Sequence, residues 1–133
     1  ERSPWNMAQI YNAPEFLDEM RYWHKLHEQL RPYLWETAKR CVKASKPILR
    51  PLVYEWPEDS NVLCCQDEYL LGNDLLVAPL LEENAHVREV YLPQGTWTDF
   101  FSGEIYTGNQ TIIIDTVDKL PVFTRNGFQW KHD

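Results

Sequence analysis

The first third of the chain carries a helical pattern of apolar residues. Between Ala13 and Ser45 the apolar side chains recur every three or four positions, which predicts an amphipathic helix. Pro32 falls inside this stretch, so we expect a kink or two abutting helices, with Asn12 as the cap and Pro47 as the stop. A helix with one wide apolar face needs a large surface to cover it. The predicted face consists of Phe16, Met20, Trp23, Leu26 (or His27), Leu30, Leu34, Ala38, Cys41 and Val42.

The pattern changes after the helix. Residues 48–54 are apolar and partly β-branched, which predicts a buried strand. After residue 66 the pattern takes a period of two, and the strand candidates are residues 74–79, 88–92, 96–101, 111–114 and 121–124. A helix followed by a buried strand is the repeating step of an α/β barrel or doubly wound sheet, whereas closely spaced strands indicate an antiparallel β-sandwich. The predicted fold class is therefore α/β followed by all-β.

Composition excludes several classes of partner. The net charge is −7 and no Lys/Arg cluster is long enough to follow a phosphate backbone, so we expect no nucleic-acid binding. No apolar run approaches the roughly 20 residues that cross a bilayer, and the start of the chain has no signal-peptide pattern. We therefore predict no membrane association and a cytoplasmic location.

The residue types that bind metals do not form a recognisable pattern. Cys41, Cys64 and Cys65 lack C-x-x-C spacing, which favours three reduced thiols. His24 and His27 stand three apart on the predicted helix, but no third ligand accompanies them. We predict no metal site and no cofactor.

Six segments of the chain match, in order and at the expected spacing, motifs that occur together in one enzyme family. They are R-S-P-W at residues 2–5, L-R-P-Y-L at 30–34, P-I-L-R-P-L at 47–52 with E-W-P at 55–57, D-E-Y-L-L-G-N-D-L-L-V-A-P at 67–79, Y-L-P-Q-G-T-W-T-D-F-F-S-G-E at 91–104, and L-P-V-F-T-R-N-G at 120–127. These segments resemble the motifs R-x-P-W, L-x-P-Y-L, P-V-M-R-P-L…E-F-P, D-Q-F-L-L-G-x-x-L-L-V-A-P, Y-L-P-x-G-x-W-x-D-F-x-x-G-E and I-P-V-F-x-R-x-G of family 31 glycoside hydrolases. The resemblance covers nearly the whole chain.

The resemblance implies a fold and an activity. Residues 1–66 would be the last helix and strand of a (β/α)8 TIM barrel, and residues 67–133 the proximal C-terminal β-sandwich domain. The whole protein would be a retaining, exo-acting, α-glucosidase-like enzyme that hydrolyses terminal α-linked glucose from oligosaccharides. The family's catalytic aspartates lie on earlier barrel strands, the nucleophile in a W-x-D-M-N-E type motif that this chain lacks. We therefore expect no catalytic residue here. The segment would close the barrel, pack on its remaining part and be inactive by itself.

Several residues are weaker candidates for contact with a substrate. Trp5 is the best candidate for a sugar contact, because it follows a loop at the C-terminal face of the implied barrel. Glu55 and Asp59 flank the end of the implied eighth strand, and Asp99 lies beside Trp97 in a predicted hairpin. Solvated-loop and turn roles are sufficient for these three carboxylates.

Two alternatives remain open from the sequence. One is an α-xylosidase of the same family, and the other is a non-catalytic carbohydrate-binding or interaction module. An exposed aromatic platform on the β-half would favour the module. A bare apolar helix face that further polypeptide covers would favour the enzyme.

Overall fold

The computed structural model describes residues 3–83, 85–116 and 120–129, which form two compact units. The first unit holds the described residues up to Glu36 and is helical. Its first helix, α1 (Pro4–Ile10), begins where the Asn6 N–H donates a hydrogen bond of 3.3 Å to Oγ of Ser3. A serine cap followed by a proline in the first turn is a common helix start. The sequence analysis did not predict this helix.

The second helix, α2 (Phe16–Ala44), confirms the predicted amphipathic helix. Pro32 lies inside α2, so the stretch forms one helix and not two abutting ones. The predicted cap at Asn12 is wrong. Asn12 has a left-handed backbone with a φ of 50°, and the helix begins further along the chain.

A left-handed residue and a proline end α2. Ser45 has a φ of 53°. Its N–H donates to the carbonyl of Val42 at 3.2 Å, and the N–H of Lys46 donates to the carbonyl of Cys41 at 2.9 Å. These two bonds form a Schellman motif and satisfy carbonyls that the helix itself leaves without partners. Pro47 then prevents another turn, as the sequence predicts.

The predicted buried strand over residues 48–54 is wrong in length and in burial. β1 spans only Leu49–Pro51, and α3 (Leu52–Glu55) follows at once. Leu49 is 59% exposed, whereas Arg50 is buried. Pro51 has no N–H to offer a strand ladder and serves as the N-cap of α3, so the strand ends there.

The second unit holds the described residues from Thr37 onward and consists mainly of antiparallel strands. After α4 (Ser60–Leu63) the strands are β2 (Tyr69–Leu71), β3 (Leu75–Val77), β4 (Val87–Leu92), β5 (Thr96–Asp99), β6 (Ile105–Thr107), β7 (Gln110–Asp115) and β8 (Val122–Arg125). One sheet has the order β1-β2-β3-β8-β5-β6, and a second sheet pairs β4 with β7.

The core of this unit draws buried apolar side chains from both sheets. Two sheets that share one core in this way have the arrangement of a β-sandwich. The cluster includes Leu70, Leu76, Trp97 and Phe123 from the larger sheet and Val90, Leu92 and Ile114 from the smaller one. Leu52 and Val62, from α3 and α4, join the same cluster, so both short helices pack on the sandwich.

All five strands predicted beyond residue 66 are confirmed, with small shifts at their ends. The strand predictions did not include β2 and β6, each of which has only three residues. The turn between β6 and β7 is very close-packed. A Cβ on Gly108 would lie 2.0 Å from the carbonyl oxygen of Pro93, so only glycine fits there.

Within the described ranges, no helix has the length and apolar character needed to cross a bilayer.

The three cysteines are free thiols, of which Cys41 is buried, Cys64 is exposed and Cys65 is partly buried. The cytoplasmic location stays a prediction.

Candidate functional site

A buried arginine connects three parts of the second unit. The side chain of Arg50 has no exposure to solvent. Its guanidinium donates to the carboxylate of Glu55, to the carbonyl of Gly72 and, at 2.6 Å, to Oδ1 of Asn73. Lys46 adds a longer contact of 3.8 Å between its Nζ and Oε1 of Glu55. A buried charge is tolerated when it is paired with an opposite charge and hydrogen-bonded, as both terminal nitrogens of Arg50 are, so β1, α3 and the β2–β3 turn depend on one another.

The segment after α3 borders an open cleft of about 360 Å³. Trp56 in this cleft is already in contact with protein groups. The guanidinium carbon of Arg125 lies 4.7 Å from its ring centroid, and the ring of Trp97 lies 6.1 Å away. The cleft is lined by Glu55, Trp56, Pro57, Glu58, Asp59, Gln94 and Asn109. Acidic, amide and aromatic groups therefore meet at the end of α3.

The carboxylates that the sequence analysis considered have structural partners. Asp59 accepts the hydroxyl of Tyr91 at 2.6 Å and the backbone N–H two residues further on at 3.0 Å, which caps α4. Asp99 accepts the N–H groups of Phe101 at 2.8 Å and Ser102 at 2.7 Å through the same oxygen. These are the contacts of capping and turn residues.

Trp5, the predicted sugar contact, belongs to the helical unit. Its side chain is 48% exposed, and the guanidinium carbon of Arg21 lies 6.0 Å from its ring centroid. A half-exposed indole ring can stack on a sugar face, but a role for Trp5 in binding stays a prediction. His24 and His27 are exposed on α2.

The loop between α4 and β2 gathers reactive side chains that the sequence analysis did not group. One ligand-type atom from each of Cys65, Asp67 and Glu68 lies within 4.8 Å of the other two. Arg88 on β4 donates to Oδ2 of Asp67 at 2.5 Å and to its backbone carbonyl at 2.9 Å. The backbone N–H of Tyr91 donates to Oε1 of Glu68 at 2.8 Å. A metal ion is the ligand that such a group could hold.

Burial dominates the electrostatics of this loop. It raises the pKa of Glu68 to about 7, against the opposing effect of the Tyr91 hydrogen bond. Burial also raises the pKa of Cys65 to about 12, and the adjacent Glu68 charge adds to the shift. In contrast, the hydrogen bond from Arg88 holds the pKa of Asp67 below its ordinary value. In this loop the buried Glu68 carboxyl group and the Cys65 thiol lie beside Asp67, whose carboxylate is paired with Arg88.

Retaining glycoside hydrolysis requires two carboxyl groups about 5 Å apart, facing the sugar. Glu55, Asp59 and Asp99 are instead engaged by an ion pair, a helix cap and a turn. These contacts hold structural elements in place, and the expectation that the chain contains no catalytic residue stays a prediction.

The comparisons with known proteins point to one family. A model described as the glycosyl hydrolase family 31 C-terminal domain matches residues 45–128. An isomaltosyltransferase of Sporosarcina globispora is 32% identical over 128 residues, covering 96% of this chain and 12% of that protein. Alpha-glucosidase 2 of Bacillus thermoamyloliquefaciens is 29% identical over 127 residues, covering 95% of this chain and 16% of that protein.

Solved structures agree. A cycloalternan-degrading enzyme from Trueperella pyogenes, solved in complex with isomaltose, is 32% identical and superimposes with a TM-score of 0.90, covering 97% of this chain and 18% of that one. The chain thus spans less than a fifth of the length of each of these three proteins. The motifs, the sandwich and the family match lead to one conclusion: the chain belongs to glycosyl hydrolase family 31, and its residues 45–128 match that family's C-terminal domain.

Proposed function

We propose that this chain is part of a retaining, exo-acting α-glycosidase that hydrolyses terminal α-linked glucose from oligosaccharides. The segment supports the catalytic barrel and does not supply its catalytic carboxylates. The observation that carries the proposal is the match of residues 45–128 to a domain of glycoside hydrolases, in a chain whose candidate carboxylates have structural partners.

Apolar surface left bare on this chain supports the scaffold role. On α2, Val42 is 81% exposed and Trp35 is 64% exposed, and Phe16 and Trp23 from the predicted apolar face are also exposed. Near β1, Leu49 and Tyr54 are exposed as well. Large apolar side chains left bare on one segment indicate a surface that packs against more polypeptide. In the proposed enzyme, the rest of the barrel covers them.

The finer domain assignment remains part of this proposal. Residues 1–66 would close the (β/α)8 barrel, and residues 67–133 would form the proximal sandwich. β1 pairs antiparallel with β2 and is the edge strand of its sheet. Barrel strands pair in parallel, so a barrel role for this segment rests on its P-I-L-R-P-L motif and not on the observed pairing.

The non-catalytic binding module is disfavoured by the burial of aromatic residues. Trp97 is completely buried in the β-half. The other described aromatic rings beyond residue 66 are all buried or partly buried. A sugar-binding platform needs open ring faces, and within the described part of the β-half no such platform is present.

The test compares the full-length protein with this chain. Both are assayed with p-nitrophenyl α-glucoside and α-xyloside, and the anomer first released is followed by NMR. We expect the full-length protein to hydrolyse the α-glucoside with retention and the chain to be inert. A preference for the α-xyloside would assign the α-xylosidase alternative. Activity of the isolated chain would show that the catalytic carboxylates lie within it.

A second candidate follows from the relatives. The isomaltosyltransferase and the enzyme solved with isomaltose both match almost the entire chain. The substrate unit could therefore be isomaltosyl and not glucosyl. Product analysis on an α-1,6/α-1,3-linked glucan separates the two, because glucose as the first product supports the main proposal and isomaltose supports the second.

A further inference from the structure

One carboxylate oxygen of Glu68 is buried without a hydrogen-bond partner among the described residues. The residue is 6% exposed. Its Oε1 accepts the N–H of Tyr91, whereas its Oε2 has no hydrogen-bond partner among the described residues. Burying a carboxylate oxygen without a donor or a cation is unfavourable. A ligand that brings positive charge to this point would remove the penalty.

The surrounding atoms are spaced as metal ligands would be. Sγ of Cys65 lies 3.9 Å from Oδ1 of Asp67, the oxygen that Arg88 does not contact. One atom from each of Cys65, Asp67 and Glu68 lies within 4.8 Å of the others. In a tetrahedral zinc site, bonds of about 2.3 Å to sulfur and about 2.1 Å to oxygen separate the two ligand atoms by about 3.5 Å. Closing the group around an ion shortens the separations between these atoms by at most about 1.3 Å.

Charge and ligand type select the ion. A Cys65 thiolate, Asp67 and Glu68 together carry three negative charges, and Arg88 carries one positive charge. The net charge of −2 is balanced by a divalent cation. Mg²⁺ and Ca²⁺ take oxygen ligands, whereas a thiolate with two carboxylates suits Zn²⁺. Arg88 would orient the Asp67 carboxylate from outside the site, as supporting groups commonly do around zinc.

We propose that Cys65, Asp67 and Glu68 bind one Zn²⁺ ion that fastens the loop between α4 and β2 onto β4. The connection to β4 runs through the bonds that Arg88 and Tyr91 make with the two carboxylates. On binding, the Cys65 thiol gives its proton to solvent and a sulfur–zinc bond forms. Water takes the fourth position. The role assigned to the ion is structural.

The chain offers matched variants for a test. E68Q keeps the shape of the side chain and places there the glutamine of the D-Q-F-L-L-G motif, so the fold should tolerate it. C65S removes the thiolate. C64S alters the neighbouring cysteine, which is exposed and outside the group, and is the control.

The full-length protein, stripped of metal with a chelator, is titrated with Co²⁺ and then with Zn²⁺. We expect the wild type and C64S to show a thiolate-to-cobalt charge-transfer band that one equivalent of Zn²⁺ abolishes. C65S should lack the band, and E68Q should bind at least tenfold more weakly while keeping its circular dichroism spectrum. Zn²⁺ should also raise the Tm of the wild type and C64S only.

The proposal is overturned if the wild type shows no charge-transfer band. It is equally overturned if E68Q and C65S, folded as judged by circular dichroism, bind Co²⁺ and Zn²⁺ as the wild type does. In either case the buried Glu68 is a structural carboxyl and not a metal ligand.

Discussion

The indole N–H of Trp97 donates a hydrogen bond of 2.8 Å to the backbone carbonyl of Pro93 inside the core of the sandwich. Trp97 has no exposure to solvent, and its ring lies near that of Trp56. The bond links the start of β5 to the end of β4, and so joins the two sheets across the three-residue turn between these strands.

Replacing Trp97 with phenylalanine should destabilise the full-length protein by about 3 kcal/mol. The change removes ring volume from a packed core and leaves the Pro93 carbonyl buried without a donor. Thermal unfolding of the full-length protein measures it, with W5F as the control at a half-exposed tryptophan. Equal Tm values for W97F and the wild type would contradict the prediction.

Alanine at Gly108 should be far more damaging than alanine at Gly103. The Cβ at position 108 would meet backbone atoms, including the Pro93 carbonyl oxygen at 2.0 Å, which cannot move aside without displacing β4 and β5. At position 103 a Cβ has open space, and the cost is confined to the positive φ of 75°, about 1 kcal/mol. Soluble yield and Tm compare the two variants. Similar losses would show that the β6–β7 turn can relax.

The Arg50–Glu55 pair supports a third prediction. E55Q removes the charge opposite a guanidinium that has no exposure to solvent, so we expect a loss of about 3 kcal/mol. E58Q, at an exposed neighbour in the same acidic segment, should change stability by less than about 0.5 kcal/mol. Urea unfolding of both variants tests the difference, and hydrogen exchange should show the loss first in β1 and α3. Equal stability of E55Q and E58Q would mean that Asn73 and Gly72 suffice to hold Arg50.

A fourth prediction concerns the bare helix surface. Val42 is 81% exposed on this chain, so V42K should leave the isolated segment as stable as before or reduce its self-association. In the full-length protein, where we propose that other polypeptide covers this face, V42K should lower the Tm by several degrees. Size-exclusion chromatography and thermal unfolding give the two results. If both proteins tolerate the lysine equally, Val42 faces solvent in the full-length protein too.

Local patterns in the sequence determined a large part of this protein. The three-to-four residue repeat was enough for α2, and Pro47 was enough for its end, because both depend on neighbours within one or two turns. The period-two pattern beyond residue 66, with its turn signals, was enough to predict five of the strands. The series of motifs predicted the family that the comparisons support. The absence of a nucleophile motif led to the prediction that the chain contains no catalytic residue.

Only the tertiary structure decided the rest, since it depends on residues distant along the chain. The burial of Arg50 follows from partners in the β2–β3 turn, more than 20 residues away. Arg88 reaches Asp67 across a similar separation, and that contact sets the shape of the Cys65–Glu68 loop. Arginine, aspartate and glutamate residues occur throughout the sequence. Only the packing of β4 beside the loop distinguishes Arg88, Asp67 and Glu68 from ordinary surface charges.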